Sequence, residues 1–241
     1  MRADVFLVEQ GYAKSRSEAQ AAIKAGLVRA GGALLSKPSQ SIVAGSRIEY
    51  QKPHPFVSRG GVKLAMALDC FGLSPGARVC LDLGASTGGF TQVLLDRGAT
   101  RVYALDVGSG QMDADLARDP RVCLREGVNA RDIKSADFAE PITALTADVS
   151  FISLKLALPP ALSLAATGAW GIVLVKPQFE AGREAVGKGG IVQDAAAREA
   201  ALKSISDLIA ATPGWRVLGA IESPIQGGDG NIEYLLAAHK A

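Results

Sequence analysis

"RVCLDLGASTGGF", residues 78–90, decides how the rest of the chain is read. The run Val79 to Leu83 is apolar except for Asp82, and it stops at a segment holding three glycines, Gly84, Gly88 and Gly89. The next stretch, "FTQVLLDRG" (90–98), has helical spacing of its apolar residues. A short apolar run, a glycine-rich break and an amphipathic run make a strand–turn–helix unit. Glycines at such a turn let the backbone approach a ligand closely.

The turn is not the dinucleotide pattern G-x-G-x-x-G. It reads D-x-G-x-x-x-G, with an acid before the first glycine. That arrangement suits an amino-acid-bearing nucleoside such as S-adenosylmethionine. Asp82 is expected to order the ammonium end, directly or through water. Gly84, Ala85, Ser86, Thr87, Gly88, Gly89 and Phe90 are expected to pack against the methionine and ribose. The next strand, "VYALDVG", ends at Asp106, 22 residues after Gly84. A ribose-binding acid belongs there in a doubly wound fold.

Downstream the same rhythm repeats. "RVCLREG", "ITALTADVS", "GIVLVKP", "WRVLGAIES" and "IEYLLAAH" read as strands, with "LALPPALSLA" and "AREAALKSISDLIAA" as helices between them. Near-continuous apolar strands separated by helices predict a mostly parallel sheet covered on both faces. The fold class is therefore α/β, with a doubly wound sheet that binds ligands beyond the carboxyl ends of its strands. The twenty uncharged residues 156–175 are long enough to span a bilayer. The Pro159-Pro160 pair and Thr167-Gly168 instead predict a buried helix, a turn and a buried strand, so no stable membrane association is expected.

The first fifty residues differ in kind. Residues 1–59 hold nine Lys/Arg against four acids, while the remaining 182 hold 17 against 20. A basic module ahead of a mildly acidic body is the footprint of an anion-binding appendage, here for nucleic acid. "KSRSEAQAAIKAG" (14–26) predicts a helix with a Ser15–Glu18 capping box and Gly26 at its end. Arg16, Gln20 and Lys24 share one face of it. A first helix is expected from about Ala3 to Glu9, and short strands at "LVRA", "ALLS" and "SRIEY". The RNA-facing candidates are Arg2, Lys14, Ser15, Arg16, Gln20, Lys24 and Arg29, with Arg59 just beyond. "QKPHPF", with Pro53 and Pro55, reads as a joint. The expected division is 1–52, a linker at 53–57, and 58–241. Cys70, Cys80 and Cys123 share no metal-type spacing and fit small, reduced residues, so no metal is expected. With no secretory pattern in the first twenty residues, the expected location is the cytoplasm.

Four polar residues stand out at or near predicted strand ends. Asp148 ends "LTADVS", Lys176 ends "GIVLVK", Glu233 sits in "GDGNIEYLL", and Lys63 lies on the helix before the first strand of the body. Each alone is an ordinary surface charge. Consecutive parallel strands, however, deliver Asp148 and Lys176 to one sheet edge. Two lysines among two carboxylates provide a setting for a general base or an orienting amine.

Lys63, Asp148, Lys176 and Glu233 also fit, in chain order, the Lys-Asp-Lys-Glu tetrad of FtsJ-type ribose 2′-O-methyltransferases. The whole chain resembles a narrower group, the TlyA family of rRNA methyltransferases, often labelled haemolysins. The matching stretches include "KSRSEAQAAIKAGLV", "VSRGGVKL", "LDLGASTGGFTQVLLDRGA", "DVGSGQ", "DPRV", "ADVSFISL", "LVKPQFEAG" and "SPIQGGDGNIEY". The resemblance implies an S4-type RNA-binding domain followed by a Rossmann-like class I methyltransferase domain. The implied reaction uses S-adenosyl-L-methionine to methylate a cytidine ribose in rRNA, as free RNA or within a ribosomal subunit. The four tetrad positions are then the catalytic candidates, and Asn129 in "GVNARD" matches the position near the cofactor adenine. Where that family carries Arg and Trp before "VSRG", this chain reads His54-Pro55-Phe56-Val57, which keeps a ring and loses a charge. The short ends are similar to members that modify only large-subunit rRNA. A membrane-active haemolysin and a non-catalytic RNA-binding assembly factor are the competing classes. The oligomeric state is not legible.

Overall fold

The computed structural model of the 241-residue chain describes every residue except Ala44 and Gly228. The chain divides into two compact units, Met1–Pro55 and Phe56–Ala241.

In the first unit, helix α1 (Ala3–Glu9) is followed by α2 (Arg16–Lys24) and three short strands, β1 (Val28–Ala30), β2 (Ala33–Leu34) and β3 (Ile48–Tyr50). The strands form an antiparallel sheet in the order β2-β1-β3. Leu7, Ala19, Ala22, Ile23, Val28 and Ile42 close its apolar core. Ser15 caps α2 by accepting from the Glu18 amide at 3.2 Å. The return contact of the expected capping box is displaced by one residue, since Glu18 Oε2 accepts from the Lys14 amide at 2.8 Å.

In the second unit, α3 (Arg59–Phe71) precedes β4 (Val79–Leu83), α4 (Gly89–Asp96), β5 (Arg101–Leu105), the short α5 (Ala114–Ala117), β6 (Val122–Arg125) and β7 (Ile142–Ala147). The chain continues through α6 (Leu154–Leu164), β8 (Ala165–Val175), the single turn α7 (Pro177–Glu180), α8 (Ala195–Ala211), β9 (Trp215–Glu222) and β10 (Tyr234–Lys240). The seven-stranded sheet runs β6-β5-β4-β7-β8-β10-β9. It is parallel from β6 to β8, and β10 enters antiparallel between β8 and β9.

Apolar residues on the two sheet faces form separate layers. Leu64, Leu68, Phe90, Leu94 and Trp170 belong to one. Leu145, Leu158, Leu162, Ile205 and Ile209 belong to the other. The turn expected at Thr167-Gly168 is not there. α6 passes straight into β8 at Ala165, and Gly168, at φ 79°, lies within the strand. The strand order reverses between β4 and β7, which creates the crevice where open α/β sheets bind ligands.

Candidate active site

The turn after β4 is tied to the end of β5. The amides of Gly84 and Ala85 both donate to the Leu105 carbonyl, at 2.8 and 3.1 Å. Gly84 has φ 78°, and a Cβ there would sit 2.6 Å from the Asp148 carbonyl oxygen. Only glycine lets the β4 turn pass that close to the end of β7. Asp106 braces the same turn: its carboxylate accepts from the Ser86 and Gly108 amides, each at 2.7 Å.

Beside this turn lies a cavity of about 490 Å³, in the range of small-molecule sites. Gly84, Ser86, Asp106, Asn129 and Asp148 line it, with Leu105, Val107, Val128 and Ile152 as apolar wall. An apolar slot with a carboxylate and an amide at its edge has the size and polarity to admit a nucleoside. The amide oxygen of Asn129 already accepts from Arg131, at its backbone N (3.1 Å) and Nε (3.2 Å).

A second cavity of about 280 Å³ adjoins the first and shares Gly84, Ser86, Asp148 and Ser150 with it. Ala85, Thr87, Gly89 and Phe90 line this second space. Two of the expected ligand contacts line neither cavity. Asp82 is fully buried, and its two carboxylate oxygens accept from Thr91 Oγ1 (2.7 Å) and Thr146 Oγ1 (2.9 Å). Burial above all, with the charge of Asp148 adding to it, pushes the Asp82 carboxyl up to about 6. Its observed work is to hold α4 and β7 against β4. Gly88, at φ 93°, turns toward Leu116 and Met112.

The second cavity gathers all four tetrad positions. Lys176 leaves the end of β8 and caps α7, where Pro177 at the first helical position needs no N–H partner. Asp148 follows β7, and its amide donates to Leu83 at 2.9 Å. Lys176 Nζ lies 2.7 Å from Asp148 Oδ1 and donates a hydrogen bond to Ser150 Oγ at 2.7 Å. Lys63, one turn into α3, forms an ion pair with Glu233, which stands immediately before β10. Lys63, Lys176 and Glu233 are all buried. A buried charge persists when it is paired, and here two cation–carboxylate pairs share one cavity wall.

Several residues at this rim carry no strong sequence signal. Ser150 and Phe151 sit inside "DVSFISL", but a lone Ser or Phe has no period to announce it. Phe151 is 92% exposed, has φ 64°, and its ring lies 5.5 Å from that of Phe179. Asn231 is buried, with Oδ1 accepting from the Val192 amide (2.9 Å) and Nδ2 donating to the Gly190 carbonyl (2.8 Å). It ties the end of the glycine-rich segment 181–190 to the loop that carries Glu233.

In the first unit, Arg2, Arg16 and Gln20 converge on one buried carboxylate. Asp4 accepts from Arg2 Nε (2.9 Å) and Nη2 (3.1 Å), Arg16 Nη2 (3.0 Å) and Gln20 Nε2 (2.8 Å). The Arg2 hydrogen bond, more than any other contact, holds Asp4 well below the usual carboxylate range. Part of the basic face is thus neutralised from within. Ser15 is occupied as a helix cap. Arg29 donates to the Gly32 carbonyl, and Lys24 stands exposed in the last turn of α2. Arg59 belongs to the second unit and lines the tetrad cavity. Among the described residues no helix is long and apolar enough to cross a membrane.

Comparison with known proteins places both units in described families. Residues 56–240 match the FtsJ-like methyltransferase family, and residues 1–48 match the S4 domain. The 16S/23S rRNA (cytidine-2′-O)-methyltransferase TlyA of Mycobacterium tuberculosis is 42% identical over 237 residues, covering 98% of this chain and 88% of that protein. Hemolysin A of Brachyspira hyodysenteriae is 42% identical over 237 residues, covering 98% of each. A solved structure of a Streptococcus thermophilus protein described as a hemolysin superposes with a TM-score of 0.78 at 41% identity, covering 100% of this chain and 88% of that one.

Proposed function

The chain belongs to the TlyA family, with an S4 domain and an FtsJ-like methyltransferase domain, and on that premise we propose that it methylates the 2′-hydroxyl of a cytidine ribose in rRNA. The proposed substrate is large-subunit (23S) rRNA, with or without small-subunit (16S) rRNA. The observation that carries the reading is the pair of ion pairs, Lys176–Asp148 and Lys63–Glu233, on the wall of a cavity that shares Gly84 and Asp148 with a nucleoside-sized one.

S-adenosyl-L-methionine, when bound, supplies an activated methyl group. In this assignment Asp106 faces its ribose, Asn129 lies near its base, and the Gly84–Ser86 turn lies along its amino-acid end. Lys176 contacts the acceptor hydroxyl and steers its proton. Asp148 and Ser150 fix the Lys176 amine by a charge contact and a hydrogen bond. Lys63 and Glu233 neutralise each other in the same wall. Because the donated group is already activated, the protein's work is chiefly positioning and proton removal. Phe151 offers an exposed ring at the rim, suited to stacking on an unpaired base.

Arg2, Lys14, Arg16, Gln20, Lys24 and Arg29 supply the RNA-facing polar and basic groups of the S4 domain, and Arg59 supplies one beside the tetrad. The proposed setting is the cytoplasm, where ribosomal substrates are found. The experiment is incubation of the protein with labelled S-adenosyl-L-methionine and either deproteinised rRNA or assembled subunits, then mapping of the ribose methyl by primer extension at low nucleotide concentration. A mapped 2′-O-methylcytidine supports the reading. No label on any substrate, with cofactor bound normally, favours an RNA-binding assembly factor instead.

A further inference from the structure

We infer that Glu180 is a positioning residue for the Lys176–Asp148 pair. The inference rests on the methyltransferase reading of the site. Its starting point is a carboxylate outside the tetrad that joins the two chain segments supplying that pair. Glu180 ends α7, four residues after Lys176. Its Oε2 accepts from Ser153 Oγ at 2.5 Å, and its Oε1 accepts from the Leu154 amide at 2.7 Å. Ser153 and Leu154 open α6, five and six residues after Asp148.

The two segments therefore meet at three successive contacts. The inner one is Lys176 with Asp148 and Ser150. The middle one is the tilted ring pair of Phe179 and Phe151. The outer one is Glu180 with Ser153 and Leu154. Both segments leave parallel neighbouring strands, β7 and β8. Beyond the strand ends no ladder hydrogen bonds hold them in register, so side chains must do it. Glu180 closes the outer end with two hydrogen bonds, one to each of its carboxyl oxygens.

This closure also explains two local features. Phe151 sits at φ 64°, a conformation that costs a bulky residue free energy and persists only where its surroundings impose it. It lies between the inner and outer contacts, which are what impose it. Glu180 itself is partly buried, and burial raises its carboxyl above the ordinary value, with the Ser153 and Leu154 hydrogen bonds opposing the rise. A half-buried acid with both oxygens spent on the neighbouring loop is poorly placed to meet substrate and well placed to hold that loop.

The test compares Glu180→Ala and Glu180→Gln in the full chain. Four readouts are used: steady-state methylation of rRNA, calorimetric binding of S-adenosyl-L-methionine, hydrogen exchange at the Leu154 amide, and the unfolding temperature. Glu180→Ala is expected to lower kcat about 10- to 100-fold, because small misplacements of reacting groups cost that much. Cofactor affinity should stay within about twofold, and Leu154 exchange should accelerate. Glu180→Gln keeps an oxygen for the Leu154 amide and should recover most of kcat and of the exchange protection. Unchanged kcat in Glu180→Ala would overturn the inference. So would a loss that falls on cofactor binding, or a collapse of the unfolding temperature in both variants, since either makes Glu180 an ordinary structural acid. If the unsubstituted protein itself methylates nothing, the reading of the site fails instead, and Leu154 exchange alone then decides whether Glu180 holds the loop.

Discussion

Lys176 and Asp148 leave different strands of the sheet, yet the Lys176 amine stands 2.7 Å from the Asp148 carboxylate. Parallel pairing of β7 with β8 places both strand ends on one edge, and Pro177 turns the chain away directly after the lysine. Lys176→Ala is therefore expected to abolish rRNA methylation while S-adenosyl-L-methionine still binds. Labelled-methyl transfer and calorimetry on the same preparation check this. Full activity on ribosomal substrate would remove Lys176 from the mechanism.

Phe151 combines a strained backbone, a ring contact with Phe179 and an exposed ring face. Replacing it with glycine relieves a positive-φ strain of about 1–3 kcal/mol and gives up the ring contact with Phe179, so Phe151→Gly should unfold at a similar temperature. It should nevertheless lose a base-stacking contact of about 1–3 kcal/mol, seen as a roughly 5- to 150-fold fall in kcat/KM for RNA. A variant that is as stable and fully active would show that the ring touches no base.

Asp82 predicts a pH signature in stability rather than in binding. Its carboxyl titrates at about 6 in the fold against an ordinary 3.8, because burial disfavours the charged form. A raised value means folding favours the protonated acid. That stabilisation is complete below pH 4 and is lost as pH rises through 6, by about 3 kcal/mol at most. Asp82→Asn cannot ionise and should lack this loss. Urea unfolding of both proteins between pH 4 and 7 measures it, and parallel curves would contradict the burial argument.

Asp4 makes the two cations of the α2 face unequal. Arg16 already shares the Asp4 carboxylate, whereas Lys24 stands exposed two helical turns further on. Each phosphate contact contributes a slope of about 0.7 to 0.9 in log affinity against log salt. Lys24→Ala should reduce the slope by that amount, and Arg16→Ala by less. RNA binding by filter retention across a salt series reads both. Equal losses would mean that RNA pulls Arg16 off Asp4.

Asn231 should act on the tetrad through the loop it anchors. Asn231→Ala removes two hydrogen bonds to the 190–192 segment and leaves its buried Val192 amide without that acceptor. Leaving a buried group unpaired costs about 1–3 kcal/mol. Faster hydrogen exchange at Val192 together with lower methylation is the expected result. Exchange that quickens with no change in activity would confine Asn231 to stability.

The sequence by itself determined the period of each element and the residues at strand ends. Apolar runs of strand length, broken by glycine and followed by helical spacing, leave little choice but a parallel sheet. Charges at the ends of β7 and β8 must then share an edge, so Asp148 and Lys176 were legible as neighbours. Resemblance to a known family carried Lys63 and Glu233, which no periodicity points to. Tertiary structure alone decided the rest, because it depends on side-chain direction and on contacts between distant segments. Asp82, read as a ligand contact, is instead closed off by Thr91 and Thr146. Arg16 and Gln20 of α2 meet at Asp4 because α1 packs against α2. The roles of Asn231 and Glu180 arise where loops far apart in sequence meet, and a hydrogen bond made across such a gap leaves no repeat along the chain to read.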